Sequence, residues 1–564
     1  MKKCLYFILI VFWFQITNCG KKMSDNIADL VLRNGEIITI DKNNPRSEAV
    51  AIKGDRIIAV GSNKDIDRYV DIDVTKIIEL EGKLVVPGFI DAHVHFESGG
   101  ESLMEINLSG VTTLEEIQKR IKEKINEVGE GKWIYGRGWD HEIFLGGKWP
   151  TKELIDVVSP KNPVVLTRVD GHSCLVNSSV LKISRITKNT PDPPAGKIVK
   201  DPITGEPTGI LKESAQKLIK SPQPSEMERY ETRKKAIKLA INESARLGVT
   251  GIHNLTGDFE IFQELLNNNE LKVRVYACAS ITKDTKTLKT YKEWQKKFEN
   301  NNHMIKFGYL KVFIDGSLGS GTAAFFEPYT DDPTTTGLTT MSQVELNKLV
   351  TLIDKQGFQL GIHAIGSKGN NMVLNAYEEA IKKNGKRDSR HRIEHAQVLI
   401  LDDIPRFKEY GVIASMQPTH CITDKRFAEK RIGKDRCKGA YAWKSLLDTG
   451  ANIAFGTDWP VEPLNPIEGL YAAVTRKDRE GESGDGWFPE EKISMEKAIE
   501  LYTLGSAYAS FDENILGSIE KGKLADMVVL SRNLFKIPED KILETKVIYT
   551  IIGGEIIYSS ITEE

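Results

Sequence analysis

Two histidines one residue apart, His93 and His95, close an apolar stretch with the sequence LVVPGFIDAHVH at residues 84–95. Alternate side chains of a β-strand point to the same side, so both imidazoles would project together from the end of a buried strand. Two imidazoles placed in this way can occupy adjacent coordination positions of one zinc ion. Such pairs also occur by chance, so the pair becomes a candidate metal site only in company with further donors.

Further candidate donors follow or lie within other apolar runs. Three of them end predicted strands: His363, His395 and Asp458. Lys311 lies inside a predicted strand, where a bare ammonium is costly to bury unless it is paired. One explanation is a salt bridge to Asp315 or Glu394. The other is chemical, because a desolvated lysine loses its proton and becomes nucleophilic, and its amine can then capture carbon dioxide as a carbamate that bridges two metal ions.

The elements that must position these side chains are eight apolar runs, at residues 84–95, 249–255, 272–280, 309–316, 359–366, 391–397, 411–418 and 451–460. Most lack strict alternation, as expected for parallel strands covered on both faces, and helical patterns lie between them. Eight such units predict an α/β fold, a TIM (β/α)8 barrel, whose active site lies at the carboxyl ends of the strands. Residues 98–240 fit none of these units. We expect them to form a long folded insertion after the first strand.

The two ends of the chain carry β-hairpin patterns. The N-terminal patterns turn at Asn34-Gly35 and near Gly54-Asp55, and the C-terminal one turns at Gly553-Gly554. A small sheet made from one end alone would be marginal in water. The sequence therefore predicts one small β-sandwich built from both termini, residues 24–83 and 511–564, beside a barrel at 84–510. Two separate terminal modules are the alternative.

The first residues, MKKCLYFILIVFWFQITNCGKK, place lysines on both sides of an apolar run. This layout is typical of a secretory signal, and the run is shorter than the ~20 residues of a transmembrane helix. The segment ITNC resembles a bacterial lipobox, in which cleavage exposes a cysteine that is then acylated. The sequence predicts a signal peptide at 1–18, a lipid on Cys19, and export to the bacterial cell envelope with a membrane anchor. Secretion without a lipid, or a retained anchor, is the alternative.

Composition and motifs exclude several classes of protein. The formal net charge of the 564 residues is −2, which gives no reason to expect nucleic acid as a partner. The cysteines beyond the leader form no CxxC pair, which disfavours a zinc knuckle or a dithiol redox site. No G-x-S-x-G motif is present, which disfavours a serine hydrolase, and GSLGSGT lacks the ending of a P-loop.

Several motifs resemble amidohydrolase family 3, the YtcJ-like branch that includes N-substituted formamide deformylases: PGFIDAHVH, KVFIDGSLGSGTAAFFEPY, HAIG, RIEHAQ, SMQPTH and GTDWPVEPLNP. The resemblance covers Ala28 to about Ser559. It implies a metal-dependent hydrolase of carbon–nitrogen bonds other than peptide bonds, with one or two divalent ions and zinc as the expected metal. The implied metal ligands are His93, His95, Lys311 as a carboxylated bridge, His363, His395 and Asp458. Ser367 departs from the family, which commonly has aspartate after HAIG.

The expected reaction is attack of a metal-bound hydroxide on an amide or N-formyl carbonyl of a small molecule, with Asp458 as the base. Candidate substrate contacts are Asp140, His172, Gln417 and His420, each of which could equally cap a loop. His253 is expected to form part of the pocket wall or to have a hydrogen-bonded structural role. A deaminase or a cyclic-amide hydrolase remains an alternative, as does a solute-binding lipoprotein from a different class. A homo-oligomer is compatible with the sequence.

Overall fold

The structure is a computed structural model that describes residues 27–141, 148–168, 173–194, 196–222, 224–255, 257, 259–281, 286–298, 303–481 and 484–561. The predicted signal peptide, Cys19 and His172 lie outside these residues. The chain divides into two compact units. One contains the described residues up to Phe96 and from Ile241 onward, and the other extends from Glu97 to Ala240.

Eight parallel strands form the barrel of the first unit, and we number them in chain order. Barrel strands 1 to 8 are Phe89–Val94, Val249–Asn254, Arg274–Ser280, Ile305–Phe313, Gln359–Ala364, Arg392–His395, Ile413–Met416 and Asn452–Phe455. Each pairs in parallel with its neighbours in sequence order. Strands 1 and 8 meet beyond the ladder, where the Asp458 N–H donates to the His93 carbonyl at 2.7 Å. The predicted α/β barrel is thereby confirmed, with its eight strands in the predicted order.

Helices cover the barrel between successive strands: Phe259–Asn267, Leu288–Lys297, Gln343–Lys355, Ser367–Asn384, Ile404–Tyr410, Pro418–Ile432, Lys434–Cys437 and Trp443–Asp448. Pro466–Thr475, Met495–Tyr502 and Leu504–Ala509 follow strand 8. The ends of these helices are encoded locally. A capping box of Ser342 and Glu345 starts Gln343–Lys355, and Gly411 in a left-handed conformation ends Ile404–Tyr410. No helix of the described residues is long and apolar enough to span a bilayer.

The apolar run at residues 84–95 contributes one strand to each of two sheets. Leu84–Pro87 is a strand of the terminal sandwich, and Phe89–Val94 is barrel strand 1. Gly88 lies between them, and a Cβ at this position would stand 2.2 Å from the Thr250 hydroxyl oxygen. Only glycine therefore allows the chain to pass from one sheet to the other so close to strand 2. The sandwich extends one strand further along the chain than the predicted boundary at residue 83.

The two chain ends form the sandwich together. One sheet contains, in spatial order, Arg56–Gly61, Ala49–Lys53, Leu30–Arg33 and Lys76–Glu79. The other contains Glu555–Ser559, Val547–Ile552, Met527–Leu530, Leu84–Pro87, Glu36–Ile38 and Arg46–Ser47. Met527–Leu530 runs antiparallel to Leu84–Pro87, and the residues between the sheets form one hydrophobic core. N-terminal and C-terminal residues thus share both a sheet and a core.

The hairpin predicted at Asn34-Gly35 is wrong. Leu30–Arg33 pairs with Ala49–Lys53 and Lys76–Glu79, whereas Glu36–Ile38 pairs with Leu84–Pro87 and Arg46–Ser47. Asn34 has the positive φ of a turn, but the strands on its two sides enter different sheets. The hairpins at Gly54-Asp55 and Gly553-Gly554 are confirmed.

The second unit contains a six-stranded mixed sheet in the spatial order Gly196–Lys200, Pro207–Glu213, Ser173–Val176, Val164–Arg168, Ile134–Trp139 and Ile106–Asn107. Helices Leu114–Val128, Glu153–Asp156 and Ser178–Ser184 accompany the sheet, and the unit begins within Phe96–Met104 and ends within Glu226–Arg246. Trp139 is fully buried, and its indole N–H donates to the Leu166 carbonyl. The insertion therefore has a hydrophobic core of its own.

Candidate metal centre

Three predicted donors from different strands converge at the carboxyl end of the barrel. His93 lies on strand 1, His395 ends strand 6, and Asp458 follows strand 8. Each offers one ligand atom, and these atoms all lie within 4.8 Å of one another. Nitrogen and carboxylate oxygen donors at this separation match the ligand set of a divalent metal such as zinc.

Two more imidazoles extend the cluster. His95 Nε2 lies 3.3 Å from Asp458 Oδ1, and His93 Nε2 lies 3.4 Å from the same oxygen. The His363 ring centroid is 4.6 Å from that of His395. The structure thus brings together four histidines and one aspartate from strands 1, 5, 6 and 8.

A hydrogen bond on one ring nitrogen holds each of three imidazoles in place. His93 Nδ1 is 2.6 Å from Glu394 Oε2, and His395 Nδ1 is 2.8 Å from Gln417 Oε1. His363 Nε2 is 3.2 Å from the Gly316 carbonyl oxygen. Because these acceptors require an N–H on the contacted nitrogen, the other nitrogen of each ring keeps its lone pair for a metal.

Lys311 lies beside the histidines on strand 4 and is 1% exposed. Its Nζ has no hydrogen-bond partner among the described residues, and burial lowers its pKa. The predicted salt bridge to Asp315 is not formed, since that carboxylate accepts the backbone N–H groups of Ala324, Ile365 and Gly366. Nor does an ion pair join Lys311 to Glu394, whose carboxylate contacts other groups. A buried amine without a hydrogen-bond partner fits a residue whose nitrogen is modified or bound to a further group.

Three of the clustered groups have pKa values that suit metal binding. Burial and the nearby Lys311 lower the pKa of His363 to about 3, and burial lowers that of His395 well below its usual range. Burial alone would raise the pKa of Asp458, but His93 and His95 outweigh it and hold that pKa well below its ordinary value. Burial and Lys311 act to lower the pKa of His93, but Asp458 and Glu394 outweigh them and raise it. Neutral imidazoles and an ionised carboxylate are the forms that coordinate a metal, so His93 would release its proton when the metal binds. The residues present therefore fit a divalent ion.

Asp91 ties together the two segments that carry His93 and Asp458. Its Oδ1 accepts the backbone N–H groups of His93 and Thr457, each at 3.0 Å, and its other oxygen accepts the Thr457 hydroxyl. Gly456 permits this approach, because a Cβ there would lie 2.5 Å from the His93 nitrogen. The polar residues at the end of the first strand therefore have two roles. His93 and His95 are candidate metal donors, and Asp91 fixes the backbone that carries His93.

Two of the donors have backbone conformations that are uncommon for residues other than glycine. His395 has a φ of 76°, the following Ala396 has 42°, and Asp458 has 60°. Each such residue costs on the order of 1–3 kcal/mol and persists only where the surrounding structure enforces it. The packing around His395 and Asp458 therefore holds both residues in backbone conformations that an unconstrained chain would leave.

Sequence reasoning missed the main support of the cluster, which lies beneath it inside the barrel. Arg392, which is 0% exposed, forms an ion pair with Glu394 at 2.9 Å and donates to Ser415 Oγ at 2.8 Å. It also donates to His253 Nδ1 at 2.8 Å, which gives that histidine its expected structural role. Glu394 thus connects a buried arginine to a candidate metal ligand, His93. The only signal in the sequence was the pair of charges inside the short buried run RIEH.

The candidate substrate contacts have different surroundings. Gln417 contacts His395, and His420 Nε2 lies 3.8 Å from Asp458 Oδ2. Asp140 lies in the second unit, where Arg168 donates to it at 2.9 Å. His172 is outside the described residues. The structure therefore brings two of the four, Gln417 and His420, to the metal ligands.

Two other features do not belong to the metal centre. Cys174, Cys278, Cys421 and Cys437 are buried free thiols, and burial raises the pKa of Cys174 to about 12, so it is not an activated nucleophile. A cavity of about 690 Å³ has walls that include the first residues of barrel strands 3 and 4. Two cations of its wall, Arg274 and Lys306, are paired with Asp526 and Asp512.

Comparisons with known proteins identify the family of the chain. The sequence profile of the amidohydrolase family matches residues 76–558. Protein LONG AFTER FAR-RED 3 of Arabidopsis thaliana is 38% identical over 94% of this chain and 92% of the relative. YtcJ of Bacillus subtilis (strain 168) is 33% identical over 94% and 99%. N-substituted formamide deformylase of Arthrobacter pascens is 26% identical over 94% and 98%.

Among solved structures, an uncharacterised metal-dependent hydrolase from Pyrococcus furiosus is similar with a TM-score of 0.68 and 31% identity, over 89% of this chain and 99% of that chain. Fold and site together define a barrel hydrolase that depends on a divalent metal. The chain belongs to the amidohydrolase family.

Proposed function

We propose that the protein hydrolyses the carbon–nitrogen bond of small amides, N-formyl compounds among them, and does not act on peptide bonds. The observation that carries the proposal is the convergence of His93, His395 and Asp458 within 4.8 Å at the carboxyl end of the barrel. The 26% identity to an enzyme named N-substituted formamide deformylase, over 94% of this chain, supports the choice of bond.

The donors divide the work between holding the metal and moving a proton. When bound, a divalent ion polarises the carbonyl oxygen and lowers the pKa of water to roughly 7. His93, His95, His363 and His395 would hold zinc in this site, with Asp458 completing the set. Asp458 accepts the proton of the attacking water and returns it to the departing nitrogen, a role that requires its carboxylate to be ionised before the reaction.

Lys311 is proposed to carry a carboxyl group on Nζ and to bridge two ions. Its burial, its lowered pKa and the lack of a hydrogen-bond partner among the described residues support this proposal. An uncharged amine can add carbon dioxide, and the resulting carbamate supplies two oxygen donors. Metal content that rises with added bicarbonate in the wild type but not in Lys311→Met would support the carbamate, and metal content independent of bicarbonate would contradict it.

His420 is proposed as a substrate contact. It is 8% exposed, and its Nε2 has no hydrogen-bond partner among the described residues while facing Asp458 Oδ2 at 3.8 Å. Gln417 acts through His395, because its amide oxygen accepts from that ring and its amide nitrogen donates to the Ser415 carbonyl. Asp140 and His172 remain proposed contacts from the insertion.

The experiment that tests the function is a release assay on metal-replete protein. A panel of N-formyl and N-acyl amines is incubated with the enzyme, and amine, ammonia and formate are quantified. We expect turnover that disappears on removal of the metal with a chelator and returns with zinc or manganese. Silence across the panel, with the metal stoichiometrically bound, would refute the carbon–nitrogen assignment.

Export and membrane anchoring through Cys19 are proposed from the leader sequence alone. Incorporation of radiolabelled palmitate into the wild type, and its loss in Cys19→Ala, would support the lipid anchor. A protein that is secreted unlabelled would refute it.

A further inference from the structure

We propose that Phe313 determines substrate specificity by receiving an aryl or bulky alkyl group next to the scissile bond. This inference rests on the proposed function and names the class of amide that the site accepts. The feature that carries it is a phenyl ring that stands among the metal ligands and is nevertheless 45% exposed.

Phe313 is the last residue of barrel strand 4, two positions after Lys311. Alternate residues of a strand project to the same side, so its ring points to the side on which Lys311 meets the cluster. Distances agree: the ring centroid is 5.0 Å from Lys311 Nζ and 5.2 Å from the centroid of the His363 ring. The ring therefore borders the space directly above the metal site.

Exposure of this ring is unusual for its position. All the other residues of strand 4 are buried or half-buried, and Lys311 beside it is 1% exposed. An inward-facing phenyl that stays nearly half exposed must face open space at the barrel mouth. Removal of exposed apolar surface from water is favourable, so a ligand that covers this ring gains binding free energy.

The backbone beneath the ring is fixed. The Thr340 hydroxyl donates to the Phe313 carbonyl at 2.6 Å, and the Thr340 N–H donates to the Ile314 carbonyl at 2.8 Å. The Ile314 N–H in turn donates to the His363 carbonyl at 3.1 Å. The main chain that carries the ring is therefore preformed, so a ligand that contacts the ring loses little free energy in ordering the backbone.

The mouth is chemically asymmetric. Gln417, His420 and Asp458 are polar and lie after strands 7 and 8, whereas Phe313 ends strand 4, on the opposite side of an eight-stranded barrel. A substrate with a reactive amide at the metal would place polar atoms toward strands 7 and 8 and its apolar group toward strand 4. Small amides without an apolar group leave this wall uncovered.

The test compares substrates that differ only in the apolar group. N-benzylformamide carries an aryl group on nitrogen, N-methyl-2-phenylacetamide carries it on the acyl side, and N-methylformamide carries none. The readout is the ratio of kcat/KM for each aryl substrate to that for N-methylformamide, measured within one enzyme preparation. Because the active fraction cancels in this ratio, partial loss of metal or of folded protein does not affect it.

In Phe313→Ala we expect this ratio to fall about tenfold or more for at least one aryl substrate, as for the loss of one aromatic contact. The substrate that responds shows whether the ring receives the amine or the acyl part. Phe313→Tyr should keep the ratio, and Phe313→Leu should retain part of it. Phe511→Ala is the matched control, because it removes an exposed ring near Lys306, at the beginning of strand 4.

Unchanged ratios for both aryl substrates in Phe313→Ala would overturn the inference while leaving the function intact. If the wild type hydrolyses none of the three compounds, the function is decided by the wider panel described above, and the inference is tested by calorimetric binding of N-benzylformamide to the zinc-loaded protein. Equal affinity of the wild type and Phe313→Ala for this probe would refute the role of the ring, and a loss of about tenfold in the variant would support it.

Discussion

Replacement of Glu394 by glutamine should weaken metal binding without touching a metal ligand. Glu394 is fully buried, and its Oε2 accepts from His93 Nδ1 at 2.6 Å. Glutamine has nearly the same shape but no charge, and its amide can present either oxygen or nitrogen to the ring. The contact would then lose the carboxylate that fixes the tautomer and raises the basicity of the coordinating nitrogen.

The magnitude follows from the kind of contact. Loss of a hydrogen-bond partner behind a coordinating histidine typically lowers metal affinity about 10–100-fold, which is about 1.4–2.7 kcal/mol. The upper part of this range is expected, because the contact is short, fully buried and charged. The same carboxylate pairs with Arg392 at 2.9 Å, so the metal-free variant should also unfold at a lower temperature than the wild type.

The assay is a competition for zinc between the protein and a chromophoric chelator of known affinity, performed at a temperature where circular dichroism shows both proteins folded. Glu491→Gln is the matched control. Glu491 is also buried, but it accepts hydrogen bonds from Lys444 and Ser445 and contacts no metal ligand. A folded Glu394→Gln protein that binds zinc within about threefold of the wild type would refute the reasoning.

Three further predictions concern the site and its support. Asp458→Asn should retain most of the metal and lose about 10²–10⁴-fold in kcat, as for loss of a general base; a variant as active as the wild type would place the base elsewhere. Lys311→Met should lose stoichiometric metal, measured by elemental analysis. The metal-free variant should melt no lower than the metal-free wild type, because Nζ has no hydrogen-bond partner among the described residues; a clear fall in melting temperature would reveal a partner. Burial alone would raise the pKa of Asp354, but the hydrogen bonds from His391 and Asn384 outweigh burial. They hold this pKa at about 2, below its ordinary 3.8. A carboxylate whose pKa is lowered in the folded state stabilises the fold at any pH above its pKa in the unfolded chain. This contribution is lost as the pH falls toward 2. In the wild type the free energy of unfolding should therefore fall by about 2 kcal/mol from this group, and in Asp354→Asn this part of the fall should be absent. The measurement is the free energy of unfolding of both proteins from pH 5 to pH 2, and an equal fall in the two proteins would contradict this prediction.

The barrel could be predicted from sequence because its signal is local and repeated. Each of the eight apolar runs is long enough for one buried strand, and helical patterns separate them. The positions of the donors followed from the same pattern, since His363, His395 and Asp458 end predicted strands and the carboxyl ends of parallel strands meet at one edge. The strand pattern and the donor positions were therefore sufficient to predict a cluster at the carboxyl end of the barrel.

Pairing partners could not be predicted in the same way. The sequence around Asn34-Gly35 has the local chemistry of a hairpin, and Asn34 does adopt a turn conformation, but the partner of each strand lies in another part of the chain. The role of Glu394 was hidden for a related reason. A glutamate beside His395 in sequence contacts His93, some 300 residues away, and only the closed barrel brings the two together.

The passage of residues 84–94 from one sheet to the other has a consequence for biosynthesis. The strand that carries His93 follows Leu84–Pro87 after a single residue, and that segment pairs with Met527–Leu530, which is synthesised only after all eight barrel strands. The sheet that holds the first ligand strand is therefore completed only after the whole barrel has been synthesised. A nascent chain that stops short of these residues would expose an unpaired apolar edge next to the metal donors, a target for chaperones and proteases.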